Sequence, residues 1–234
     1  MKKGFKVTLA ILGCSLLLVG GVAFWQRQNI KVAWSGLTTS PEQLQKDMEE
    51  VKTKVKDALT SYKLQGVRDL TVEEEEKLRT GEITLEEAVA LMVPGKEGEQ
   101  VIEDEDVQAA DTSKSVTNEQ QVDDIVADYV AKMYTLKAKY VSLLGGVESR
   151  AKSAFFSLPK EEQNLKGLQK IGGPFIGEAI SLESQCNGEV GALLSNLEQE
   201  LKTLEADTTI VDTMRKAYEN EKSLKKAYYL SALK

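Results

Sequence analysis

Histidine is absent from the 234 residues. That removes the commonest general base, the imidazole of a nucleophilic triad and the commonest transition-metal ligand together. Cysteine is almost absent: Cys14 and Cys186 make neither a disulfide framework nor a thiolate cluster. There are only 4 prolines and 6% aromatic residues, and no stretch alternates apolar and polar residues as a half-buried strand does. Cationic excess is missing too, since the net charge of −7 argues against nucleic acid as a general partner. What remains is rich in Ala, Leu, Glu, Lys and Val, which predicts an all-α protein.

One long apolar run breaks the polar character of the chain. From Val7 to Trp25, nineteen residues carry no charge, and at about 1.5 Å per residue a helix of that length matches the roughly 30 Å of bilayer hydrocarbon. Lys2, Lys3, Lys6 and the terminal amine precede it, against Arg27 and Lys31 after it. That bias predicts a single span with a cytoplasmic N-terminus and the bulk of the chain outside the membrane. Trp25 sits at the outer edge, where an amphipathic ring prefers the headgroup level.

Other readings of the same stretch each make a demand on the residues. Ile11-Leu12-Gly13-Cys14 meets a lipobox in part, but the apolar run continues past Cys14 where a lipoprotein would begin a polar tether. Gly21-Val22-Ala23 offers a small-x-small site for cleavage before Phe24. Lys2-Lys3-Gly4-Phe5 ahead of an apolar helix resembles the prepilin leader of type IV pilins. That resemblance implies cleavage after Gly4 and a strand-bearing C-terminal region. Leu9 stands where the family carries a glutamate, and no strand pattern follows. An uncleaved anchor fits the residues best.

Beyond the anchor, assigned to residues 1–33, the chain divides by pattern. Residues 34–93 form a membrane-proximal helical segment. Ser40-Pro41 is a helix start, and Leu44, Met48, Val51, Val55, Ala58 and Tyr62 follow at heptad spacing up to Gly66. Thr71-Val-Glu-Glu74 and Thr84-Leu-Glu-Glu87 read as capping boxes that open a helical hairpin of about 72–80 and 85–93. The acids Glu73 to Glu76 suit the positive end of their helix dipole. Residues 94–116 are acidic and poor in large apolar groups, the composition of a flexible linker.

Residues 117–234 are expected to form an antiparallel helical bundle or a coiled coil. Val122, Val126, Tyr129, Met133, Leu136, Tyr140, Leu143 and Val147 keep four-three spacing, and Ile125, Val130 and Leu144 widen the stripe. Pro159 is expected to open a short helix through about Lys170, Gly172-Gly173-Pro174 to break it, and Phe175 to begin a long helix to about Ala206. A last helix, capped by Asp207 or Thr208, runs to the C-terminus.

No catalytic, cofactor-binding or metal-ligating set can be assembled from these residues. Cys186 falls on an apolar stripe between Leu182 and Val190, the setting of a small buried residue. One asymmetry stands out. Arg215, Lys216, Lys222, Lys225 and Lys226, interleaved with Tyr218, Tyr228 and Tyr229, make the C-terminal helix a candidate surface for docking an anionic partner. The alternative is that these cations face acidic neighbours within the bundle. The expectation is therefore a non-enzymatic, single-pass envelope protein outside the cytoplasmic membrane, acting as a helical scaffold through protein partners or self-association. The alternatives are a ligand- or polymer-binding bundle and a divergent minor-pilin-like component.

Overall fold

A computed structural model describes residues 39–64, 66–93 and 118–231. The segments expected to form an anchor, 1–33, and a linker, 94–116, lie outside the described residues. Within them the chain forms a helical bundle without strands: α1 (Pro41–Leu59), α2 (Val72–Thr80), α3 (Leu85–Met92), α4 (Asn118–Phe156), α5 (Leu165–Thr203) and α6 (Thr209–Ser231). No helix among the described residues is long and apolar enough to cross a membrane.

Local signals set the short helices. Ser40 caps α1, its side chain accepting from the Gln43 backbone N–H at 3.2 Å with Pro41 in the first turn. Thr71 and Thr84 close the two capping boxes, each accepting from the N3 backbone while Glu74 and Glu87 accept from the cap backbone in return. Gly81 ends α2 at φ 78°, a left-handed position that favours glycine.

Four long helices share the main core. α4 and α5 lie side by side and antiparallel, as the pairs Tyr129 with Glu200, Tyr140 with Glu189 and Arg150 with Glu178 show. α1 lies along α6. Leu59 at the end of α1 joins Ile210, Val211 and Met214 at the start of α6 in one core with Val126, Val130, Leu194, Leu197 and Leu201, so α1 and α6 also run antiparallel. Each fully buried leucine of this set is worth about 1.5 to 3 kcal/mol. The α2–α3 hairpin packs on α4 through Leu70, Leu78, Ala88, Met92, Ala131 and Ala138. Past this body, α4 and α5 continue as a two-helix hairpin closed by Val147 and Ala151 against Phe175, Ile176 and Leu182, and by Phe155 against Leu168.

Several boundaries differ from those the sequence suggests. α1 stops at Leu59, short of Gly66, which lies in the following loop at φ 85°. No helix starts at Pro159. Residues 157–164 form a compact turn, and Asn164 caps α5 by accepting from the backbone N–H groups of Lys166 and Gly167. Gly172-Gly173-Pro174 does not break the chain, because α5 runs through Pro174. The proline removes one helical hydrogen bond, whereas Phe175 and Ile176, just beyond it, are held against α4. On α4, Leu143 and Leu144 are exposed although they fall on or beside the heptad stripe. Past Tyr140 that helix has only α5 and the α2–α3 hairpin to pack against.

Candidate functional site

The most concentrated chemistry lies where the loop before α2, α2 itself, α4 and α6 meet. Lys137 projects from α4 at a position whose helical neighbours Tyr134 and Val141 pack toward the hairpin core. Its Nζ donates to Asp69 Oδ1 and Oδ2 at 3.0 and 2.7 Å, and it lies 2.8 Å from Glu221 Oε1 and 3.6 Å from Glu75 Oε2. Lys225, one turn beyond Glu221 on α6, reaches Glu75 Oε1 at 2.5 Å and Glu221 Oε1 at 3.2 Å. All five side chains are at most a quarter exposed. Three carboxylates and two ammonium groups leave the cluster at −1.

Mutual pairing decides the protonation states. Burial alone would push the Glu221 carboxyl up, but Lys137 and Lys225 outweigh it and hold it at about 2. Glu75 is lowered by the same two lysines against its own burial and the repulsion of Glu221. Lys137 loses its charged form to burial in part, yet Glu221, Asp69 and Glu75 together raise it above the ordinary lysine range. Tyr134, beside the cluster, is pushed up to about 12 by burial and by the Asp69 carboxylate.

Such groups stay charged across the neutral range. A general acid or base works best with a pKa near the working pH, and a protonated lysine is no nucleophile. A metal ion would have to displace Lys137 to reach the three carboxylates, and among the described residues no set of side chains is arranged to hold one. What the cluster does is tie α2 and α6 to the middle of α4.

Smaller pairs extend that tie. Arg68 holds the Glu74 carboxylate with two bonds of 2.8 Å; this pairing, with the Thr71 backbone N–H, brings Glu74 down to about 2. Arg79 at the end of α2 binds Glu148 of α4, which Lys152 also reaches at 2.5 Å. The Tyr140 hydroxyl donates to Glu189 at 2.6 Å, and Lys139 pairs with the same carboxylate. A surface depression of about 280 Å³ is lined by Tyr129, Asn196, Gln199, Glu200 and Thr203, and there Tyr129 donates to Glu200 at 2.6 Å.

The candidate docking residues of α6 divide between interior and surface. Lys225 belongs to the central cluster, and Lys226 pairs with Glu183 of α5. Lys222 sits 4.7 Å above the Tyr218 ring, donates to Asn187 Oδ1 at 2.9 Å and pairs with Glu219. Tyr218 donates to the same Asn187 oxygen at 2.6 Å, with Cys186 Sγ 3.5 Å from its hydroxyl. Arg215 and Lys216 are exposed, and the side chains of Tyr228 and Tyr229 lie outside what the structure describes. Cys186 itself is half-buried, its thiol pushed up chiefly by burial.

No family model, curated protein or solved structure matches this chain.

Sequence reasoning missed the central cluster. Glu75 belongs to the acidic run that suits the positive end of its own helix dipole, and its partners lie far off in sequence. One signal was present: Val130, Tyr134, Lys137 and Val141 follow helical spacing, so the lysine occupies a stripe position where a charge needs a partner.

Proposed function

We propose that this is a non-enzymatic, membrane-anchored envelope protein, in which the segment from Val7 to Trp25 holds a rigid helical bundle outside the cytoplasmic membrane as a scaffold for other envelope components. The observation that carries the scaffold half is the buried cluster of Asp69, Glu75, Lys137, Glu221 and Lys225. It commits the strongest polar chemistry of the bundle to holding helices together, with its titrating groups displaced from neutrality. The anchor half rests on nineteen uncharged residues and the lysines ahead of them.

Partner contact then falls to surfaces outside the cluster. On α6 these are Arg215 and Lys216, which are exposed, because Lys225 and Lys226 are engaged within the bundle. Two measurements test the proposal. Alkaline extraction of membranes should leave the protein in the pellet, and protease added to cells with an opened wall or outer membrane should degrade the region after Trp25. Extraction into the soluble fraction would remove the anchor, and protection of the bundle would reverse the topology. For the scaffold half, crosslinking of intact cells should return a protein adduct that Arg215→Glu with Lys216→Glu diminishes. Saturable binding of a small ligand with no such adduct would favour a binding bundle instead.

A further inference from the structure

Two ends of the bundle are distinguishable. Because α1 runs antiparallel to α6, its first residue lies at the end where α6 finishes. Lys226, five residues before the end of α6 at Ser231, pairs with Glu183 on α5. α5 extends from Glu183 back to Leu165, about 27 Å at 1.5 Å per residue; the end of α6 accounts for about the first 7 Å of it, and α4 accompanies it to Phe156. The clusters that close this part contain residues of α4, α5 and their connecting turn only. The hairpin therefore projects beyond the bundle on the side where the chain enters from its N-terminal segment.

The projecting part differs in charge from the rest. Between residues 150 and 178 stand Arg150, Lys152, Lys160, Lys166 and Lys170 against Glu161, Glu162 and Glu178, a net +2 in a chain of −7. Lys160 and Lys166 are exposed and pair with no carboxylate among the described residues. Next to them Phe156 is 43% exposed, its ring set edge-on to buried Phe155 at 5.6 Å. The turn that carries them is braced. The Gln163 side-chain amide donates to the carbonyls of Phe156 and Leu158 at 3.1 and 2.8 Å. Gly167 packs so closely that a Cβ there would lie 1.9 Å from the Glu162 carbonyl oxygen.

We infer that this tip, with Phe156, Lys160 and Lys166 at its end, is a contact surface for anionic lipid headgroups of the membrane in which the chain is anchored. The inference rests on the anchored reading above. The fifteen residues from Gln26 to Ser40 reach at most about 50 Å, more than the projection, so the tip meets the headgroup plane without strain. Tethering on the same side makes that encounter intramolecular. An aromatic ring flanked by lysines suits the interface, the ring entering the headgroup layer while the ammonium groups stay with the phosphates.

The test uses full-length protein reconstituted into phosphatidylcholine vesicles with or without phosphatidylglycerol, with brominated lipid as the quencher. One chain keeps Trp25 as its only tryptophan and reports the anchor. A second carries Phe156→Trp with Trp25→Phe and Trp34→Phe, and reports the tip. A third, in the same background, carries Lys63→Trp at the opposite end of the bundle. The indole at position 156 should lose emission in phosphatidylglycerol vesicles. Lys160→Glu with Lys166→Glu should restore it, as should salt, since the screening length falls from about 10 Å at 0.1 M to about 3 Å at 1 M. Quenching at Trp25 without quenching at position 156 would overturn this inference and leave the anchor standing. Equal quenching at positions 63 and 156 would overturn it too, because the bundle would then be lying on the surface without preference. Loss of quenching at Trp25 would overturn the anchor itself.

Discussion

Lys225 on the last helix forms an ion pair with Glu75 on α2 across 150 residues of sequence. Through Glu221 and Lys137 the same network reaches α4 and the Asp69 loop. The bundle thus has a polar joint beside its apolar core, and the joint crosses helices that are not neighbours in the chain.

Removing the central cation should be costly. Lys137→Ala would leave Asp69, Glu75 and Glu221 facing one another with Lys225 alone. Deleting one partner of a buried pair typically costs about 3 to 5 kcal/mol. The urea midpoint should fall accordingly, with Lys137→Arg falling less because the charge is kept. Lys54→Ala, which breaks an exposed pair with Glu50, should leave the midpoint unchanged. Equal loss in all three variants would deny the joint its importance.

Two adjacent glycines on α4 offer a sharper comparison. A Cβ on Gly145 would lie 2.1 Å from the Arg79 carbonyl oxygen, whereas one on Gly146 would meet only the tip of Arg150 at 3.7 Å. Gly145→Ala should separate α2 from α4 and destabilise by about 1 to 3 kcal/mol. Gly146→Ala should stabilise by about 0.5 to 1 kcal/mol, the helix-interior difference between the two residues. Thermal melts of the pair should therefore move in opposite directions.

Acid should weaken the fold in a defined window. Glu74 and Glu221 titrate at about 2 in the folded chain, below the roughly 4.3 of an unfolded glutamate. Their contribution is present above the unfolded value and is lost as pH falls towards 2, because the unfolded chain then binds more protons. Urea midpoints should hold steady down to about pH 5 and decline below it. Glu221→Gln should flatten part of that decline.

Alkali should act through the phenols. Tyr62, Tyr129, Tyr134, Tyr140 and Tyr218 are all raised, with burial the largest cause in each, and Tyr134 reaches about 12. Raised folded values mean stability that is complete below the unfolded value of about 10 and fades as pH climbs through the folded ones. Phenolate absorbance should lag behind that of free tyrosine and rise together with loss of the helical circular-dichroism signal. A free-tyrosine titration curve in chain that stays helical would contradict this.

Much of the architecture was legible because its determinants are local. Thr71 with Glu74 and Thr84 with Glu87 announce the hairpin within four residues each, and Ser40-Pro41 announces α1. The Gly172-Gly173-Pro174 triplet misled because breaker chemistry is also local, while the contacts that carry α5 through it come from α4. The charge cluster was hidden for a related reason. Asp69, Glu75, Lys137, Glu221 and Lys225 look like ordinary surface charges until the fold brings their helices together, and only the stripe position of Lys137 hints otherwise.

Pairing the first helix of the bundle with the last also has a consequence in time. Ribosomes deliver α1 early, but its partner α6 emerges only after α2 to α5 have been made, and Glu221 and Lys225 lie in the second half of that helix. Until then α1 and the faces of α4 and α5 that Ile210, Val211 and Met214 cover in the main core lack their apolar partner. Closure of the main core therefore follows the α4–α5 and hairpin contacts, and chains stalled or clipped ahead of α6 should be open to proteolysis first in α1, whose packing partner is α6.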